Sequence, residues 1–157
     1  MLITPEKFQE LYKVDVAPYV TTERGMDYIR NAYIPLLLAV HLPGLEIRFN
    51  YCDDTNSPLH PLPDGSAYVS CYFYKDGISG TPLFYPVMGN PPKYAAIINP
   101  NSRDINDAMA RAGAKLLAYQ AGLGLKLFTR EDEVKERATE VRGESKKKVE
   151  PINGGLW

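Results

Sequence analysis

Two basic side chains, Arg111 and Lys115, stand one helical turn apart in "INDAMARAGAKLLAYQAGLGL", residues 105–125. On a helix that spacing puts both on one flank. Arginine forks onto paired oxygens and lysine supplies a compact point charge, so the pair suits phosphate oxygens. Ala108, Ala118 and Gly122 share the same flank. Residues this small would let another backbone approach closely. A second constellation is aromatic. Tyr68, Tyr72 and Tyr74 alternate in "SAYVSCYFYK", with Lys75 at the end of the run and Arg48 on the polar side of a neighbouring segment. Rings beside cations can stack unpaired bases, at about 1–3 kcal/mol per base. Both patterns also have ordinary structural readings, as a solvated helix flank and as tyrosines that simply favour sheets.

Bond-making chemistry has thinner support. "CDD" at 52–54 with His60 offers metal ligands for a nuclease, which needs clustered carboxylates. The loop that follows, "DDTNSPLHPLPDG", is crowded with prolines and brings no third carboxylate at a defined spacing. There is no G-x-x-x-x-G-K-[ST] phosphate loop. "AGLGL" follows a helical pattern, the place of a C-cap rather than of a phosphate cradle. No Ser-His-Asp or Cys-His spacing stands out, and no cofactor is expected. Cys52 and Cys71 are too few for a disulfide framework or a cysteine-rich metal site, and read as reduced thiols of a cytosolic protein.

The chain of 157 residues fits one domain with a core, and 45% hydrophobic with 24% charged residues is ordinary for a globular protein. With 18 basic and 19 acidic residues, the net charge of −1 gives no global attraction to polyanions. Any nucleic-acid site must therefore be a local patch. "MLITPEKFQELYKV" lacks the pattern of a secretory signal, and "IPLLLAV" is far shorter than the ~20 residues of a membrane span. No membrane partner is expected.

The elements that must position these residues follow from periodicity. "TPEKFQELYKV" predicts a helix capped by Thr4, with Pro5 in its first turn and Phe8, Leu11 and Tyr12 on its apolar stripe. A second helix is expected over residues 22–41, kinked or split at Pro35. In "LEIRFNYC", Ile47, Phe49 and Tyr51 alternate with Glu46, Arg48 and Asn50, as in a half-buried strand. "SAYVSCYFYKDGISGTPLFYPVM" predicts a long hairpin turning at Asp76-Gly77, with Ala67, Val69, Cys71 and Phe73 on its buried face. "KYAAIINP" reads as a further short strand. The long helix should have Ser102 or Asp104 as its N-cap and stop at Gly122 or Gly124, burying Ile105, Met109, Ala112, Leu116, Tyr119 and Leu123. Residues 1–130 then form an α+β core with an antiparallel sheet and helices on one face. Residues 131–157 are charged and poor in apolar side chains, which predicts a solvated helix and a flexible tail ending at Trp157.

The order of motifs carries a resemblance. "YPVM" ends the hairpin, "INP" follows, and then comes "DINxAxxRxxxKxLAxxxGLGL", with an aromatic residue and "ED" a little further on. This resembles the phage Sak-type single-strand annealing proteins, a family that shares the core of the eukaryotic Rad-fifty-two annealing protein. The likeness covers roughly residues 6–133, and 85–132 hold its specific part. The chain departs from the family where the second helix would be tryptophan-rich, and at Arg130, where a glycine is common.

The resemblance implies a β-β-β-α core assembled into rings or helical filaments. It implies single-stranded DNA held by its phosphates between hairpin and helix, and ATP-independent annealing during phage recombination in the bacterial cytosol. By position it assigns DNA contacts to Arg111 and Lys115, with Arg48, Lys75, Lys93 and Arg103 as neighbours and Tyr72 and Tyr74 as stacking rings. The tail is a candidate docking peptide for a single-strand binding protein or an exonuclease. A self-assembling phage accessory protein that meets only protein is the alternative, followed by a metal-dependent nuclease at Asp53, Asp54 and His60.

Overall fold

Thr4 opens the first helix as expected. Its hydroxyl accepts from the Lys7 amide, Pro5 lies in the first turn, and α1 runs Pro5–Tyr12 with Leu11 fully buried. The computed structural model describes residues 1–23, 26–90 and 93–129. Among them no helix is long and apolar enough to cross a membrane.

The helix expected over residues 22–41 is only half present. Its first part is an antiparallel pair, β1 (Val20–Glu23) and β2 (Met26–Ile29), followed by a short 3-10 turn and α2 (Ile34–His41). The physical reason is local. Val20, Thr21 and Thr22 are β-branched, and Val20 pairs directly with Ile29 so that both side chains are buried together. Pro35 does not kink a helix; it sits in the first turn of one, where its missing N–H costs nothing. In α2 the buried residues are Ile34 and Leu37, whereas Leu36 and Val40 face outward.

The sheet is built around one strand. β5 (Ala67–Lys75) pairs antiparallel with β3 (Glu46–Phe49), β4 (His60–Pro61), β6 (Ile78–Ser79) and β7 (Leu83–Pro86). Cys71 faces both Phe49 and Leu83, and Tyr68 faces both His60 and Pro86. Hence β3 and β4 occupy one edge of β5, and β6 and β7 the other. Asp76 and Gly77 make the turn with φ of 50° and 80°, the left-handed pair that matches the twist of a two-residue hairpin. Between β6 and β7 the register slips. Tyr74 opposes Ser79, but Cys71 opposes Leu83, so the returning arm holds one extra residue, a β-bulge near Gly80. "KYAAIINP" contributes no strand, only an isolated bridge from Ala96 to Met88. Tyr51, expected in β3, lies beyond it and is exposed.

Strand alternation divides the two faces of β5. Ala67, Val69, Cys71 and Phe73 are buried beneath α3 (Ser102–Ala121), whose Gly113 comes close to Ile47 of β3. The N-cap of α3 is Asn101, one residue before Ser102 and three before Asp104. Its side chain accepts from the Asp104 amide while Asp104 accepts from the Asn101 amide, a reciprocal box that satisfies two helix-end donors. Gly122, in the left-handed region at φ +84°, ends the helix, and a short α4 (Leu125–Phe128) follows. The expected helix and tail over 131–157, including Trp157, lie outside the described residues.

Two predictions follow from this packing. A Cβ at Gly122 would lie 2.6 Å from the Phe8 carbonyl oxygen of α1, in a conformation that side chains rarely adopt. Gly122→Ala should therefore cost about 2–4 kcal/mol in a urea titration; an unchanged midpoint would show that α1 yields freely. Burial pushes the Cys71 thiol from 9.0 up to about 12. The folded state thus keeps a proton that the unfolded chain releases. The stability Cys71 contributes is complete below pH 9.0 and declines as pH rises toward about 12. In the native protein an aromatic disulfide reagent should label half-buried Cys52 quickly and Cys71 only after denaturant is added.

Candidate nucleic-acid interface

The C-terminal half of α3 is buried on nearly every side. Leu116, Leu117, Ala118 and Ala121 are inaccessible. One line escapes: Arg111 and Lys115 are half-buried, and Tyr119, one further turn along, is 49% exposed. Spaced at i, i+4 and i+8, the three share a flank beside β7. The helix runs antiparallel to that strand, because Arg111 reaches Met88 past its end while Gln120 donates to the Thr81 carbonyl before its start.

The flank differs from the one the spacing predicted. Ala108, Ala118 and Gly122 do not floor an open strip; all three are buried. Their smallness serves the interior, most directly at Gly122, where α1 passes against the helix end. Tyr119, expected in the core, belongs instead to the accessible line.

Lys115 is held between two rings. Its Nζ lies 5.6 Å from the centroid of Tyr85 on β7 and 5.0 Å from that of Tyr119. Both distances are within cation–π range. Phe128 of α4 meets Tyr119 edge to face at 5.4 Å and extends the aromatic wall. Arg111 has a structural duty as well: its guanidinium donates to the Met88 carbonyl at 3.3 Å and to the Asn90 side-chain oxygen at 2.7 Å, tying α3 to the segment after β7. Partial burial raises the Tyr85 phenol above its ordinary range, and the positive charge of Arg111 opposes that rise. The groove between hairpin and helix is therefore lined by Tyr85, Arg111, Lys115 and Tyr119. From the sequence, Tyr85 has no assigned role and Tyr119 falls in the core. The signals that point to them are the shared face of Leu83 and Tyr85 in "LFYP", toward α3, and the four-residue step from Lys115 to Tyr119.

The remaining candidates do not join this groove as one site. Tyr72, Tyr74 and Arg48 lie on the opposite face of the sheet, because β5 alternates and the face carrying Phe73 is under α3. There the Arg48 guanidinium stacks 3.4 Å above the Tyr74 ring and its Nε donates to Glu46 at 2.8 Å. The Glu46 carboxylate holds the Arg48 pKa above its ordinary value. Lys75 is at the hairpin tip, alongside the turn at Gly44. Lys93 is exposed beyond Asn90, and Arg103 is exposed in the first turn of α3.

Asp53, Asp54 and His60 do not converge. The His60 ring stacks on Tyr68 at 4.9 Å and its Nε2 lies 2.9 Å from the Asn50 carbonyl oxygen. Among the described residues no three His, Cys, Asp or Glu side chains are grouped to hold a metal ion. No protein-family model, curated protein or solved structure matches this chain.

The charge coupling within the groove is testable. In Arg111→Gln the Tyr85 phenol should titrate at still higher pH, since the opposing positive charge is gone. Carbon-13 labelling of the tyrosine ring ζ position reads this directly, and a Tyr85 resonance that does not move would place the guanidinium elsewhere in solution.

Proposed function

We propose that this protein binds single-stranded DNA in the groove between β7 and α3 and anneals complementary strands without ATP or metal, as a homo-oligomer acting in phage recombination. One observation carries the reading: along the C-terminal half of α3, Arg111, Lys115 and Tyr119 form an accessible line, and Tyr85 of the neighbouring β7 flanks Lys115. Phosphates engage Lys115 and the remaining N–H donors of Arg111, and bases rest on Tyr85 and Tyr119. Neutralising the backbone releases counterions and leaves base edges available to a second strand. Matched pairing then supplies the driving force. The hairpin-helix motif order described above supports the annealing step, and repetition of the groove in a ring or filament would add many weak contacts together.

A second reading has its own support. Leu36 and Val40, one turn apart on α2, are 48% and 64% exposed. Such a pair favours contact with another protein and fits either assembly of the annealing protein or an accessory protein that meets only copies of itself.

Annealing of two complementary dye-labelled oligonucleotides, with EDTA present and nucleotide absent, tests the proposal. The protein should accelerate pairing over the spontaneous rate. Lys115→Ala should weaken binding evenly across sequences and lower the slope of log affinity against log salt by about 0.7–1. An unchanged slope removes the groove assignment. No binding even at low salt, in a protein that still assembles, leaves the accessory reading.

A further inference from the structure

The face of the sheet turned away from α3 carries a concentration of rings that the groove does not use. Tyr68, Tyr72 and Tyr74 project there from β5, His60 from β4 and Phe84 from β7. Tyr68 is the centre of one cluster, with His60 stacked on it at 4.9 Å and 10° and Phe84 edge-on at 5.5 Å and 76°. Tyr74, with the Arg48 guanidinium stacked at 3.4 Å, is the centre of another. Between them the floor is small and polar: Ser70 is 2% exposed and its hydroxyl accepts from the Asn50 amide at 2.9 Å.

We propose that this open face is a second binding site, a base-stacking platform for single-stranded nucleic acid. Residues two apart on a strand are separated by about 6.8 Å, roughly twice the 3.4 Å rise between stacked nucleotides, so Tyr72 and Tyr74 meet successive bases of an extended strand and Tyr68, four residues from Tyr72, meets one further along. Aromatic rings on the open face of an antiparallel sheet, with guanidinium planes among them, are a general means of holding unstacked bases. Arg48 adds a guanidinium plane rather than net charge, since Glu46 pairs with it and pins its orientation at Nε. A second copy of this chain fits the face less well. The stacking clusters expose one large apolar side chain, Phe84 at 65%, set among tyrosines, His60 and an ion pair. That is too little for the apolar centre of a stable interface. The platform does not rest on the groove reading, because the two lie on opposite faces.

The test compares an oligothymidylate with an abasic deoxyribose-phosphate strand of equal length, by fluorescence anisotropy on the full chain. The wild-type protein should prefer the base-bearing strand by about tenfold or more. Phe84→Leu combined with Tyr72→Leu should lower that preference severalfold, leaving only what Tyr85 and Tyr119 supply, and leave the salt slope unchanged. Lys115→Ala should lower the salt slope and leave the preference. Equal binding of both strands by the wild type would overturn the platform, as would a preference undiminished in the double variant. Loss of self-association in the double variant, seen by sedimentation, would overturn it in favour of a second copy. Should the double variant fail to fold, iodouracil photocrosslinking of the wild type decides, with adducts assigned to single residues by fragmentation: adducts on Tyr68, Tyr72 or Phe84 support the platform, and adducts confined to Tyr85 and Tyr119 refute it.

Discussion

β5 is hydrogen-bonded along both edges, and its pleat sends every second side chain beneath α3. That constraint dictates most of the molecule. Burying Val69, Cys71 and Phe73 fixes where α3 must lie, and the long axis of α3 then fixes which of its residues stay at the surface. α1 and the β1–β2 pair close over the end of the helix, touching it through Gly122 and Gly124, where a Cβ would strike Phe8 and Ile29. The cationic line of Arg111 and Lys115 is accessible because the sheet ends at β7 beside it. The accessible line is thus a boundary effect of the fold, formed where the C-terminal half of α3 overhangs the last strand.

The parts of this architecture that local chemistry determines were legible in the sequence. Thr4 and Pro5 announce α1, Asp76-Gly77 announces the hairpin turn, and the alternation from Ala67 to Phe73 identifies the buried face. The parts that escaped depend on partners distant in the chain. The β1–β2 pair was taken for helix because the apolar spacing of Tyr28, Ile29, Tyr33 and Leu37 also fits a 3.6-residue period. Pairing of Val20 with Ile29 decided the matter. The alanines and glycine of α3 looked like a docking strip because a helical wheel shows one neighbour at a time. This helix has several, among them the sheet, α1 and Ile34 of α2, and small residues serve them together.

The site shows the same division. Arg111 and Lys115 were readable as a pair from their spacing, but the rings that flank Lys115 come from β7 and from the next helical turn. Arg48, Tyr72 and Tyr74 were assigned to the same groove because motif order carries no information about which side of a sheet a residue occupies. That information lies in registers between strands, which depend on turn geometry far from the residues concerned.

The extra residue between β6 and β7 makes this dependence concrete. Were the β6 register continued through Gly80 with no bulge and every residue kept, Tyr85 would oppose Tyr68 and Phe84 would oppose Val69, the reverse of the observed faces. A straightened ladder would therefore move a phenol away from α3 and a phenyl ring into the interior, whereas deleting the extra residue would remove the bulge and keep both rings on their present faces. The molecule's two aromatic surfaces thus depend on one irregular step in the ladder, where the backbone absorbs a residue that would otherwise invert the parity of β7.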